Sequence, residues 1–170
     1  MPEKGILACG VASRSELAVC RGWPSAERLA KGPVAVIECI QEIPCNPCET
    51  ACPKGAITVG NPITNCPQLH EESCIGCGLC IAKCPGLAIF VVDMTYSESE
   101  AAIQIPYEYA DVPACYEKVD ALNRYGAAVG EATVQQITVL PSYDKTMILK
   151  ITVPKELAME VRNIRRRPGV

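Results

Sequence analysis

Apolar positions fall in short runs, and most of the runs are strand-sized. Pro33-Val-Ala-Val-Ile-Glu38 predicts a strand, opened by the breaker pair Gly32-Pro33 and closed by a carboxylate. Leu87 to Val92 forms the best apolar run and reads the same way. Ala101 to Tyr109, Ala132 to Leu140 and Met147 to Val153 are strand-like, with turns at Arg124-Tyr125-Gly126 and Asp144-Lys145. Ahead of them, Ser13-Arg-Ser-Glu16 matches a capping box opening a helix to about Cys20. Pro24 to Lys31 predicts a second short helix, stopped by Gly32-Pro33. After Pro154, residues Leu157, Val161 and Ile164 stand at i, i+4 and i+7, the spacing of one helix face. The basic residues that follow, Arg165 to Arg167, suit a helix C-terminus.

A repeat organises the middle of the chain. An offset of 32 residues carries Cys45, Cys48, Cys52 and Pro53 onto Cys77, Cys80, Cys84 and Pro85, and Ala56-Ile57 onto Ala88-Ile89. Each copy is a cysteine loop, a short turn and a strand. The expected organisation is a helical extension at 1–32, a two-copy cysteine module with pseudo-twofold symmetry at 33–96, and a small β-rich domain at 97–170 ending in an amphipathic helix. The fold class is α+β.

Composition turns attention to sulfur. The 170 residues are 49% hydrophobic and 21% charged, so the chain can build a core. A formal net charge of −3 argues against a nucleic-acid binder. Twelve cysteines stand against one histidine, one tryptophan and one phenylalanine. No run approaches the length of a membrane span, and MPEKGILACG does not read as a signal peptide. The expected location is the cytoplasm, where disulfides are disfavoured and crowded cysteines point to metal.

Cys74-Ile-Gly-Cys77-Gly-Leu-Cys80-Ile-Ala-Lys-Cys84-Pro85 is C-x2-C-x2-C-x3-C-P, the bacterial iron–sulfur run. Its first three thiolates can hold three irons of one cubane, while the fourth ligates the neighbouring cluster. Gly76 and Gly78 let the backbone wrap closely. A zinc site would instead use two separated C-x-x-C knuckles. The first copy, Cys45-Asn-Pro-Cys48-Glu-Thr-Ala-Cys52-Pro53, has Glu42 where the repeat demands a cysteine. Either Cys39 completes this site through a longer loop, or the cluster is a [3Fe-4S] species or takes an oxygen ligand from Glu42, a poorer partner than a thiolate. With Cys39, one [4Fe-4S] cluster takes Cys39, Cys45, Cys48 and Cys84, and the other takes Cys52, Cys74, Cys77 and Cys80.

Cys66-Pro67 imitates the closing signature without the upstream partners and is expected to be a non-ligand. Cys9, Cys20 and Cys115 are expected to be small buried hydrophobes. His70 is expected to be a solvated loop residue. Ile43, Ile57, Ile75, Leu79, Ile81 and Ile89 are expected to form a dry wall around the cubanes.

Residues 33–96 resemble a dicluster bacterial-type ferredoxin. More narrowly, Ile37 to Glu49, Ala88 to Asp93 and Val153 to Arg162 resemble the ferredoxin-like small subunit of multi-subunit flavin-dependent dehydrogenases. These act on amino acids or amines such as proline, hydroxyproline or sarcosine, in anaerobic bacteria and archaea. The resemblance implies flavoprotein partners in a hetero-oligomer, with FAD or FMN on those partners, since this chain has no G-x-G-x-x-G. The chain would then be an electron-transfer subunit without catalytic residues of its own, with Tyr107 to Arg167 contributing to docking. A freely diffusing ferredoxin serving several enzymes is the first alternative, and a structural or redox-sensing iron–sulfur protein the second.

Overall fold

The structure is a computed structural model and describes residues 5–167. The first four residues of the expected extension and the last three of the expected C-terminal domain lie outside the described residues. The chain forms helices α1 (Ile6–Cys9), α2 (Arg14–Ala18) and α3 (Ala26–Leu29), then strand β1 (Val34–Ile37) and helix α4 (Pro47–Ala51). Strands β2 (Ile57–Thr58) and β3 (Gln68–Leu69) precede helix α5 (Leu79–Lys83). There follow β4 (Ile89–Asp93), β5 (Glu100–Tyr107), β6 (Lys118–Asn123), β7 (Ala128–Thr138), β8 (Met147–Pro154) and β9 (Val161–Arg165). The fold is mixed α and β, mostly sheet. No helix among the described residues is long and apolar enough to cross a membrane.

The capping box closes as the sequence predicts. The Ser13 hydroxyl accepts the Glu16 N–H at 3.2 Å, and the Glu16 carboxylate accepts the Ser13 N–H at 2.8 Å. Ser25 caps α3 in the same manner, accepting the Arg28 N–H.

Seven strands form one antiparallel sheet in the order β1-β4-β5-β8-β7-β6-β9. The boundary expected after residue 96 falls in the β4–β5 connection, and the sheet crosses it unbroken, with Val92 opposite Ile103. Strand periodicity sorts β4 onto two cores. Phe90 and Val92 join Ile103, Ile105, Leu149, Ile151 and Val161 on one face. Ile89 and Val91 face the other way, onto Ile37, Ile57, Ile81, Cys48 and Cys80. The large sheet is therefore the floor on which the cysteine loops rest.

The expected C-terminal helix is absent. Lys155–Leu157 makes one 3-10 turn, and Val161–Arg165 is a strand paired with β6. The register steps from Leu122↔Asn163 to Asn123↔Val161, leaving Arg162 as an extra residue in β9. This bulge shifts the strand's parity, so Val161 and Ile164, three apart, are both buried in one core. A bulged strand thus imitates helical spacing in the sequence. Strand β6 was not apparent in the sequence either, because in Lys118-Val-Asp-Ala-Leu-Asn123 only three of six positions are buried.

Candidate metal centres

Helices α4 and α5 are equivalent under the 32-residue offset, and each ends because of a proline. A residue before proline is driven out of the helical region. Cys52, before Pro53, has φ −86° and ψ 107°, and Cys84, before Pro85, has φ −83° and ψ 109°. This extended step carries each of these cysteines away from the helix it terminates. Two small cavities result. Cys39, Cys45, Cys48 and Cys84 line one, with Ile37, Ile43 and Ile89. Cys52, Cys74, Cys77 and Cys80 line the other, with Ala35, Ile57 and Val91. The helices exchange cysteines: Cys84 follows α5 but lines the cavity of α4's Cys48, and Cys52 follows α4 but lines that of α5's Cys80.

Backbone N–H groups approach several of these sulfurs. Ala56 N–H donates to Cys52 Sγ at 3.2 Å and Ala88 N–H to Cys84 Sγ at 3.4 Å, the same contact in both copies. Ala35 N–H of β1 donates to Cys74 Sγ at 3.4 Å. Burial, followed by the neighbouring cysteines, pushes the Cys39 thiol up to about 11 and the Cys80 thiol up to about 12. Burial and Cys84 likewise push Cys48 up to about 11.

The two loops differ in detail. Gly76 has φ +66°, and a Cβ there would lie 2.6 Å from Cβ of Pro33, so the cysteine loop presses on the chain entering β1. Gly78 has φ +80° and precedes α5, where a Cβ would meet the Gln104 amide of β5 at 2.6 Å. The first loop has neither device. Its extra cysteine, Cys39, stands just beyond β1, and Glu38 before it is held by two arginines. Arg124 donates to Glu38 through Nε at 2.8 Å and Nη2 at 2.6 Å, and Arg162 through Nε at 2.6 Å. Arg162 lies over the Phe90 ring and Arg124 over Trp23. Burial alone would raise the Glu38 carboxyl, but together the two guanidinium groups hold it below its ordinary value.

Glu42, the alternative to Cys39, is exposed on an outer groove with Cys66 and does not line the cavity. Asn65 and Pro67 line the cavity while Cys66 between them does not. His70 is exposed and bonded to Thr58. Cys9 and Cys115 are exposed and Cys20 is half-buried, unlike the buried hydrophobes expected of them. Ile57, Ile81 and Ile89 are buried, but Ile43 and Ile75 stand 45% and 55% exposed at the cavity rims. The sequence carried no signal for the outer parts of the site, Arg124, Arg162 and Gln104, because isolated polar residues in strands and turns read as solvated.

Residues 67–90 match the family described as "4Fe-4S binding domain". Over that segment the chain is similar to ferredoxin-type iron–sulfur domains. Over 69 residues it is 39% identical to a protein of Pyrococcus furiosus named "Aliphatic sulfonate oxidoreductase, polyferredoxin-like subunit". That alignment covers 38% of this chain and 39% of the relative, so the chain spans well under half of the relative's length. No solved structure matches.

Proposed function

We propose that this chain is an electron-transfer subunit holding two [4Fe-4S] clusters. One is held by Cys39, Cys45, Cys48 and Cys84, the other by Cys52, Cys74, Cys77 and Cys80. The observation that carries this reading is the pair of four-cysteine cavities, with one cysteine exchanged between the two short helices. The donor set fits a polynuclear core better than a lone ion. Among the described residues no three His, Cys, Asp or Glu side chains converge tightly enough to hold a single metal ion. Four thiols instead line each of two separate cavities, the ligand number that a four-iron cluster takes. Bound there, each cluster supplies one-electron transfer with little atomic movement. The chain's own residues hold the sulfurs, aim Ala35, Ala56 and Ala88 N–H groups at three of them, and exclude water with the sheet's aliphatic face.

The partner in this reading is an oxidoreductase subunit that takes electrons from substrate. The family resemblance favours a flavoprotein carrying FAD or FMN and acting on an amine or amino acid, while the relative's name suggests aliphatic sulfonates as a second substrate class to test. The test is anaerobic isolation of the native complex. About eight irons and eight sulfides per chain are expected, and the amine or the sulfonate should reduce a partner flavin and then produce a cluster resonance. A colourless chain carrying zinc would end the reading, and a chain that never co-isolates with an oxidoreductase would favour a free ferredoxin.

A further inference from the structure

Arg28 is a buried guanidinium in the helical extension, 8% exposed, and it bonds to main-chain carbonyls alone. Its Nε donates to Glu71 O at 2.8 Å, Nη1 to Gly32 O at 3.1 Å, and Nη2 to Pro33 O at 3.0 Å and Cys74 O at 2.6 Å. These carbonyls belong to two segments, the entry to β1 and the turn that leads into Cys74. The nearby Glu71 carboxylate turns instead to Ser25, accepting its N–H and its hydroxyl proton at 2.7 Å each. Arg28 therefore clamps the first cysteine of one loop to the sheet from the backbone side, while Ala35 N–H meets the same cysteine's sulfur at 3.4 Å.

We propose that Arg28 is a positioning residue of the Cys52/Cys74/Cys77/Cys80 cavity: it fixes the start of that cysteine loop and raises the reduction potential of the cluster held there. This rests on the reading that each cavity holds a cluster. A cluster gains negative charge on reduction, and a fixed cation bonded to the main chain of Cys74 stabilises the reduced form. Burial keeps salt from screening it. The other cavity has two buried guanidinium groups nearby, but both are paired with Glu38. Among the described residues Arg28 has no such ion pair, and the Glu71 carboxylate, turned to Ser25 on the solvent side, offsets its charge only in part. A lysine could keep the charge but not serve four carbonyls lying in different directions.

The experiment is a redox titration of the full-length holoprotein followed by electron paramagnetic resonance, with iron counted in each sample. Cys39→Ser and Cys77→Ser, each disturbing one cavity, assign the two signals. Arg28→Met is expected to lower the potential of the Cys77-side cluster and leave the other unchanged. Arg28→Lys should give a smaller fall. If Arg28→Met loads only the Cys39-side cavity, the clamp is supported, and Arg28→Lys then reports the charge. Wild-type potentials in both variants, equal shifts at both clusters, or a fall as deep in Arg28→Lys as in Arg28→Met would overturn the proposal. A wild-type protein without two distinct clusters would instead overturn the reading beneath it.

Discussion

At the Cys52/Cys74/Cys77/Cys80 cavity, three cysteines come from one loop that Gly76 and Gly78 bend and that Gly76 seats against Pro33. At the Cys39/Cys45/Cys48/Cys84 cavity the first cysteine comes from the end of a sheet strand, and the chain between Cys39 and Cys45 swings outward, leaving Glu42 and Ile43 exposed. The helices and their proline-driven exits are alike, so the difference lies in where the first thiol is anchored. A loop-borne thiol needs glycine and close packing to be aimed. A strand-borne thiol is aimed by the sheet, and its neighbour Glu38 ties it to β9 and to the β6–β7 turn through Arg162 and Arg124.

The harshest way to probe this contrast is to strip the iron. On the scale of structural metal sites, on the order of 10 kcal/mol of folding free energy should leave the cysteine lobe. Amides from Cys45 to Cys52 and from Cys74 to Cys84 should then lose hydrogen-exchange protection. The Glu38 amide, bonded to Ala88 O beside the arginine tie, should stay protected with β5 to β9, whose core is separate. Loss of protection at Glu38 equal to that at Ile81, whose amide is bonded to Gly78 O, would erase the distinction between the two anchors.

Next in size is Cys39→Ala, which should reduce iron from about eight to about four per chain while the other cluster keeps its spectrum. Eight irons in this variant would hand the site to another ligand. Glu38→Gln should follow, at about 3–5 kcal/mol, because it leaves Arg124 and Arg162 buried without their shared carboxylate. Denaturant unfolding of the holoprotein measures it, and a cost under about 1 kcal/mol would mean the sheet does not depend on that tie. Gly76→Ala should cost about 1–3 kcal/mol, from a strained φ and a clash with Pro33. Gly126→Ala, at φ +74° in open space, should cost about 1 kcal/mol and serves as the control for backbone strain alone. The smallest expected effect is that of Cys66→Ser, which should leave iron content and both spectra unchanged, since Cys66 lies on the outer groove.

The sequence was most legible where a short motif has one local solution. The Ser13 capping box, β1 after Gly32-Pro33 and the chain exits at Cys52-Pro53 and Cys84-Pro85 all follow from spacing and turn chemistry. It was least legible where pairing partners decide. The β9 bulge at Arg162 makes a strand look helical, and β6 gains its place from β7 and β9 on either side. Arg28 carried no signal at all, because a basic residue in Ala-Glu-Arg-Leu reads as the solvated face of a short helix. The same continuity of sheet alters one expectation about docking. Tyr107 to Arg167 supplies β6 to β9, so its deletion would remove four of the seven strands, and Tyr143 and Ile148 from the core on the cysteine side, as well as any docking surface.

The tie between Glu38 and β9 also sets an order of assembly during synthesis. The chain emerges from its N-terminus, so the four cysteines lining the Cys74–Cys80 cavity, together with Arg28, β1 and β4, are all available once residue 93 has appeared. The residues that hold Glu38 beside Cys39 come 86 and 124 positions after it. A nascent chain can therefore present both sets of four cysteines to iron-delivery machinery while the tie on Glu38, beside Cys39, still waits for the last strand.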